Sequence, residues 1–246
     1  MKKVYGIIIA MIMIIPMLVS AEELVGEEVK YYKSYEYGNI GSIYSFGSDN
    51  IINTTVEITE EEFNNAPKEE NLRGTSVIHT NYKRLTTRLY ANGLYYRYEA
   101  ALLWKQYPAK RSWDIIAIGF YASVRPTGGI SFQQEYCNLN GDCYYASTHY
   151  PQQFSSGVGT SFKLPTTTGL TLLEQTLSFN VTKTNPNSTI INQVACGDYA
   201  HATSNITQAT SMDYDVDYGT CIELDNSITG YYDTTPAAIV NWSGTW

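Results

Sequence analysis

Residues 113–150 carry the feature that most constrains the fold, a run of apolar and polar residues that alternate with a period of two. Ile116 and Ile118 fall on one side of the first stretch, as expected for a β-strand, in which successive side chains point to opposite faces. Clusters of Gly, Pro and Asn at 125–129 and 138–142 interrupt the alternation where turns are expected. The pattern predicts three consecutive antiparallel strands, which cover residues 115–124, 130–137 and 143–150.

The same alternation continues on both sides of this stretch. Asn92-Gly93 stands between two strand-like runs and predicts a tight hairpin. Residues 170–182 form the cleanest strand, with Leu173 and Leu177 on the inward face. About ten to twelve such strands and no long helix predict an all-β fold. We expect a two-sheet antiparallel β-sandwich, jelly-roll-like, with long polar loops and little helix.

The first residues have the pattern of a secretory signal peptide. Lys2 and Lys3 give a positive start, residues 7–15 are apolar, and residues 19–21 end in small side chains. The apolar run is shorter than the ~20 residues that a membrane-spanning helix needs. We expect residues 1–21 to be removed and the protein to be secreted and extracellular. The Lys-Lys start and the Ile/Met core favour a bacterial source.

The remaining chain divides by composition. Residues 22–73 are acidic and are expected to form an N-terminal arm, with an edge strand at 29–37 and one helical turn at 60–63 in an otherwise flexible loop. Residues 74–246 are expected to form the β-sandwich domain. Without the signal peptide, 14 Lys and Arg stand against 24 Asp and Glu, a net charge of −10. This charge argues against a nucleic-acid partner, which a basic domain would suit better.

Four cysteines in an exported chain predict two disulfides. Cys137 and Cys143 flank a short loop between two predicted strands, so they are expected to pair. Cys196 and Cys221 are expected to form the second bridge.

The aromatic composition suggests a recognition surface. The chain has 22 tyrosines against 7 phenylalanines, and tyrosine combines a large apolar ring with a polar tip. We expect a non-catalytic binding or adhesion module whose ligand is an extracellular glycan or a cell or wall surface. Membrane contact is not favoured. The candidate ligand-binding residues are Tyr95, Tyr144, Tyr145, Tyr231, Tyr232 and Trp242.

One acidic segment suggests a metal ion. Asp213, Asp215 and Asp217 alternate with Tyr and Val, so on a strand their carboxylates share one face. Oxygen ligands of this kind suit Ca²⁺. A structural Ca²⁺ is therefore a hypothesis, with Glu223 or Asp225 to complete the site, and no other cofactor is expected.

Two alternative functions stay open. A jelly-roll glycoside hydrolase needs two carboxylates at a suitable spacing, and Glu99, Glu135 and Glu174 each lie inside a predicted strand. A β-pore-forming, membrane-active toxin would use amphipathic strands rich in Thr, Ser and Asn, as at residues 171–182 and 203–211.

Overall fold

The computed structural model describes residues 22–37, 54–66, 78–92, 95–146 and 148–246. The predicted signal peptide and the predicted boundary at residue 73 lie outside these residues, so both stay predictions. The described chain folds into two antiparallel sheets that pack face to face, which confirms the predicted β-sandwich.

Sheet A has seven strands. In spatial order they are β2 (Thr54–Ile58), β1 (Glu23–Tyr37), β3 (Ile78–Ala91), β4 (Tyr96–Gln106), β10 (Leu170–Lys183), β6 (Val124–Asn138) and β7 (Cys143–Ala146). β1 lies between β2 and β3 and pairs with β3 from Glu23 to Tyr37. The prediction of an edge strand at 29–37 is therefore wrong about position, because β2 forms the edge.

Sheet B lies against sheet A. Its main path runs β14 (Tyr232–Thr234), β11 (Asn192–Ala202), β5 (Trp113–Phe120), β9 (Gly157–Lys163) and β8 (His149–Gln153), and β15 (Ala238–Ser243) also pairs with β11. The main apolar core fills the space between the sheets, with Leu85, Trp104, Ile118 and Leu177 among its buried members.

A small third layer covers the outer face of sheet B. It is a hairpin of β12 (Tyr214–Asp217) and β13 (Cys221–Leu224), which pair only with each other. Val216 and Tyr214 sit where a Cβ on Gly157 or Gly159 would lie, so only glycine permits this close approach. β5 is buried along nearly its whole length because it is covered on both faces.

Helix is scarce, as predicted. Within the described residues there is one α-helix, α1 (Glu60–Asn65). Its N-cap is Thr59, whose hydroxyl accepts a hydrogen bond from the N–H of Glu62 at 3.1 Å. Phe63 of α1 is buried against Tyr82. Two short 3₁₀ helices cover Thr210–Met212 and Thr229–Tyr231. None of the helices in the described parts of the chain has the length and apolar character that crossing a membrane requires.

Of the three consecutive strands predicted at 113–150, the second and third are antiparallel neighbours, as predicted, but the first lies in the other sheet and the third is divided into β7 and the start of β8. β5 belongs to sheet B, β6 and β7 to sheet A, and β8 to sheet B again. The predicted turn at 125–129 lies within β6, where the pairing register with β10 shifts and Gly128 has φ +78°. A bulge with a left-handed glycine therefore replaces the turn. The chain crosses between the sheets at residues 121–123 instead.

A buried ion pair links the two sheets. The Lys83 ammonium of β3 lies 3.4 Å from the Asp233 carboxylate of β14, and both side chains are almost completely buried. Thr55 of β2 donates a hydrogen bond to the same carboxylate at 2.5 Å. Burial opposes ionisation of Asp233, but Lys83 and Thr55 lower its pKa overall. The Lys83 ammonium also lies 5.4 Å from the Trp104 ring, a cation–π contact.

Replacing one partner of this pair should destabilise the fold strongly. Lys83→Met leaves the Asp233 carboxylate buried without its counter-ion, which costs about 3–5 kcal/mol. Urea unfolding of the two proteins measures this difference. The matched control is Lys30→Met, which breaks a more exposed pair with Glu57 and should cost about 1 kcal/mol or less. Equal effects of the two substitutions would contradict the role given to Lys83.

Candidate functional site

Two of the predicted binding residues, Tyr144 and Tyr145, lie on β7 at the edge of sheet A and point to opposite faces of it. The disulfide between Cys137 and Cys143 is present, as predicted, and it closes the β6–β7 hairpin. With these cysteines opposite each other, Tyr136 faces Tyr144 and Glu135 faces Tyr145. The bridge thus fixes the register of every pair along the hairpin.

The two β7 tyrosines are the accessible part of this edge. Tyr144 is 46% exposed and Tyr145 is 66% exposed. The Tyr144 ring stacks on Tyr136, with centroids 5.4 Å apart and planes 23° apart. The Tyr145 hydroxyl donates a hydrogen bond to Oε1 of Glu135 at 3.1 Å. We call Glu135, Tyr136, Tyr144 and Tyr145 the tyrosine edge.

An open groove of about 310 Å³ lies beside the tyrosine edge. Its volume is at the lower end of the ~300–1,000 Å³ typical of small-molecule sites. The lining mixes aromatic, aliphatic, amide, hydroxyl and ammonium groups; it consists of Gln134, Tyr136, Ala146, Lys163, Leu164, Pro165, Thr166 and Thr167. The Gln134 side chain is fixed because its amide donates to the carbonyl of Lys163 at 3.1 Å. This groove was not predictable from local sequence, because residues 134–146 and residues 163–167 line it together.

The other predicted binding residues lie apart from the tyrosine edge. Tyr95 is half-buried at the β3–β4 connection and its hydroxyl accepts from the Asn92 amide. Tyr231 is exposed beside β14. Tyr232 is buried and its hydroxyl donates to the Trp113 carbonyl, so its ring is not a surface group. Trp242 is half-buried and packs on Tyr96.

The three candidate glutamates share the outer face of sheet A but have different surroundings. Glu99 is held by two ion pairs, with Arg88 at 2.9 Å and Arg97 at 2.5 Å. Glu174 of β10 is directly opposite Glu135 of β6. Burial raises the pKa of Glu174, and the Glu135 carboxylate raises it further, while Arg84 lowers it. Glu135 and Glu174 therefore form a carboxyl pair, whereas Glu99 serves an ion-pair network.

The candidate metal residues lie on the β12–β13 hairpin. Tyr214 and Val216 are buried while Asp215 is exposed, as the predicted alternation requires. Asp213, Asp215, Glu223 and Asp225 line an open pocket of about 620 Å³. Their carboxylates do not converge, because no three of them have ligand oxygens within 4.8 Å of one another. Calcium binding by Asp213, Asp215 and Asp217 stays a prediction that requires side-chain movement.

One other group of metal-ligand type occurs within the described residues. Glu135, Cys137 and Cys143 each place a ligand atom within 4.8 Å of the others. Both sulfurs are joined in the disulfide. They are not thiolates, which are the form of cysteine that binds metals.

Residues 203–211, one of the two segments considered for a pore-forming strand, contain no strand. They form bends and turns that lead into the first 3₁₀ helix. Residues 171–182 lie within β10, in the interior of sheet A between β4 and β6. The structure therefore does not join these two segments into an amphipathic hairpin.

Comparison with known proteins adds no relative. No protein-family model matches the chain, and no curated protein or solved structure is significantly similar to it.

A buried carboxyl group lies beneath the β12–β13 hairpin. Asp198 of β11 accepts hydrogen bonds from the Thr235 hydroxyl at 3.0 Å and from the Ile222 N–H of β13 at 3.2 Å. Complete burial raises its pKa from 3.8 to about 7, although these donors favour the ionised form. The group therefore joins the hairpin to sheet B and titrates near neutral pH.

The raised pKa predicts that stability falls as the pH rises. The folded state binds the Asp198 proton more tightly than the unfolded state, so its contribution is complete below about pH 4 and is lost as the pH rises to about 7. The loss between pH 5 and pH 8 should be on the order of 2 kcal/mol. Thermal melts across this range measure it. Asp198→Asn should flatten the profile whatever its absolute stability, and parallel profiles would contradict the assignment.

Proposed function

We propose that the protein is a secreted, non-catalytic binding module that recognises carbohydrate, free or on a cell or wall surface, through the tyrosine edge. The observation that carries this proposal is two exposed tyrosines on opposite faces of a disulfide-closed strand, with Tyr144 on the same face as a polar and apolar groove. Sugars present apolar ring faces and many hydroxyls. Exposed aromatic side chains can stack on the apolar faces of sugar rings, and amide, hydroxyl and carboxylate groups can form hydrogen bonds with sugar hydroxyls.

The rigidity of the tyrosine edge supports the same proposal. Tyr144 is held by stacking and Tyr145 by its hydrogen bond to Glu135. Because the rings are already ordered, a ligand pays little conformational entropy on binding. The disulfide is consistent with export, since such bonds persist in oxidising compartments.

Removal of either exposed ring should weaken ligand binding. Tyr144→Ala and Tyr145→Ala should each raise the Kd for a retained polysaccharide about tenfold, as expected from the loss of about 1.4 kcal/mol of contact. Retention on insoluble glycans and cell walls identifies the ligand, and calorimetry measures the Kd. Tyr218→Ala is the control, since Tyr218 is 44% exposed but lies on the β12–β13 connection. Absence of retention on a broad glycan panel would overturn the proposal.

A second candidate function is glycoside hydrolysis, which is favoured by the pairing of Glu135 with Glu174. Residues directly opposite each other on antiparallel strands have Cβ atoms about 4.5–5.5 Å apart. Retaining glycosidases use carboxyl groups about 5–5.5 Å apart. The raised pKa of Glu174 suits a general acid, and Glu135 would act as the nucleophile.

Reducing-sugar release from the retained polysaccharide tests hydrolysis. Glu135→Gln and Glu174→Gln should each reduce the rate about 100-fold or more while binding persists. Glu223→Gln, on the β12–β13 hairpin, should leave the rate unchanged. If the wild-type protein binds the polysaccharide and releases no sugar, the binding function alone stands.

A further inference from the structure

The β12–β13 hairpin makes few hydrogen bonds to the rest of the protein. Its strands have four residues each and pair only with each other. A two-stranded hairpin is marginally stable alone, so its attachment to sheet B has to come from side chains. Packing of Val216 and Tyr214 on the glycines of β9 and the hydrogen bond between Ile222 and Asp198 supply part of it.

The remaining two cysteines meet at this attachment. Cys196 lies on β11 of sheet B and Cys221 is the first residue of β13, and both are completely buried. The second disulfide predicted from the sequence is not formed in this structure, where both residues are free thiols, so it stays a prediction. Sγ of Cys221 lies 2.6 Å from the carbonyl oxygen of Cys196. Burial raises the pKa of the Cys221 thiol, and the neighbouring Cys196 side chain raises it further. The two side chains therefore share one site, at the junction between the hairpin and the sheet.

We propose that Cys196 and Cys221 are joined by a disulfide that locks the β12–β13 hairpin onto sheet B in the exported protein. This proposal does not rest on carbohydrate binding. Cys137 and Cys143 are already paired, so Cys196 and Cys221 can pair within the chain only with each other.

The chemistry is an exchange with the disulfide of a thiol oxidoreductase. One cysteine, as its thiolate, attacks that disulfide and forms a mixed disulfide, which releases the first oxidoreductase thiol. The second cysteine then attacks the mixed disulfide and releases the second thiol. Both cysteines lose their protons to solvent, and their two electrons reduce the oxidoreductase.

The exchange has to precede docking of the hairpin. Both thiols are inaccessible in the folded protein, and the raised pKa of Cys221 keeps it protonated. Oxidation therefore takes place during folding, and the packed hairpin then shields the bond from reductants. Protein that folds in a reducing compartment should keep both thiols and resist later oxidation.

Thiol counting tests the bond directly. Wild-type protein, exported to an oxidising compartment and purified without reductant, is unfolded in denaturant, treated with N-ethylmaleimide and weighed by mass spectrometry. We expect no adduct, and four adducts after prior reduction of the unfolded protein. Two adducts that map to Cys196 and Cys221 would overturn the proposal.

Hydrogen exchange tests the locking role. Wild-type protein folded under reducing conditions, and the variant Cys196→Ser/Cys221→Ser, should exchange the amides of residues 214–224 faster than the oxidised protein. The Tm of the reduced protein and of the variant should lie roughly 7–14 °C below that of the oxidised protein. The reason is that a disulfide that closes the loop from Cys196 to Cys221 lowers the conformational entropy of the unfolded chain. The control Cys137→Ser/Cys143→Ser should speed exchange in β6 and β7 and leave residues 214–224 unchanged. Equal exchange at 214–224 in oxidised and reduced wild-type protein would overturn the locking role.

Discussion

The contact between Lys83 and Asp233 determines how the two sheets fit together. An ammonium and a carboxylate buried in an apolar core are stable only in a narrow range of positions, because each loses its hydration. The carboxylate also needs its hydrogen bond from Thr55, so three strands have to meet at one point. Asp114 acts within sheet B, where it bonds from β5 to Tyr199, His201 and the N–H of Ala202 on the neighbouring strand β11. Apolar packing alone would leave the relative position of the sheets less defined.

Strands with one clear inward face were predictable. β10 places Leu173, Leu177, Phe179 and Val181 in the core as the alternation indicates. The hairpin of β3 and β4 and the helical turn after Thr59 also follow from local sequence. For residues 113–150 the sequence did not predict which strand belongs to which sheet. Alternation with a period of two shows which side chains share a face of a strand, but it does not show which strands pair with it. The bulge at Gly128 resembles a turn in sequence, since both use glycine at positive φ.

The candidate site was likewise predictable from the sequence only in part. Once Cys137 is paired with Cys143, counting outward along the hairpin brings Tyr136 to Tyr144 and Glu135 to Tyr145. That much is contained in the sequence. The partnership of Glu135 with Glu174 depends on β10 inserting between β4 and β6, a pairing between segments about forty residues apart. The groove formed with residues 163–167 depends on sheet B, and the burial of Tyr232 depends on its contact with Trp113.

The path of the chain between the sheets has a consequence for how the protein unfolds. After β4 the chain enters sheet B with β5, returns with β6 and β7, crosses again with β8 and β9, and crosses twice more with β10 and β11. The strands β4, β10 and β6 of sheet A and β5, β9 and β11 of sheet B are thus each joined by a short connection to a strand of the other sheet. Neither sheet can separate from the other and stay folded, because strands of the two sheets alternate along the chain. We therefore expect the two sheets to unfold together, in one cooperative transition.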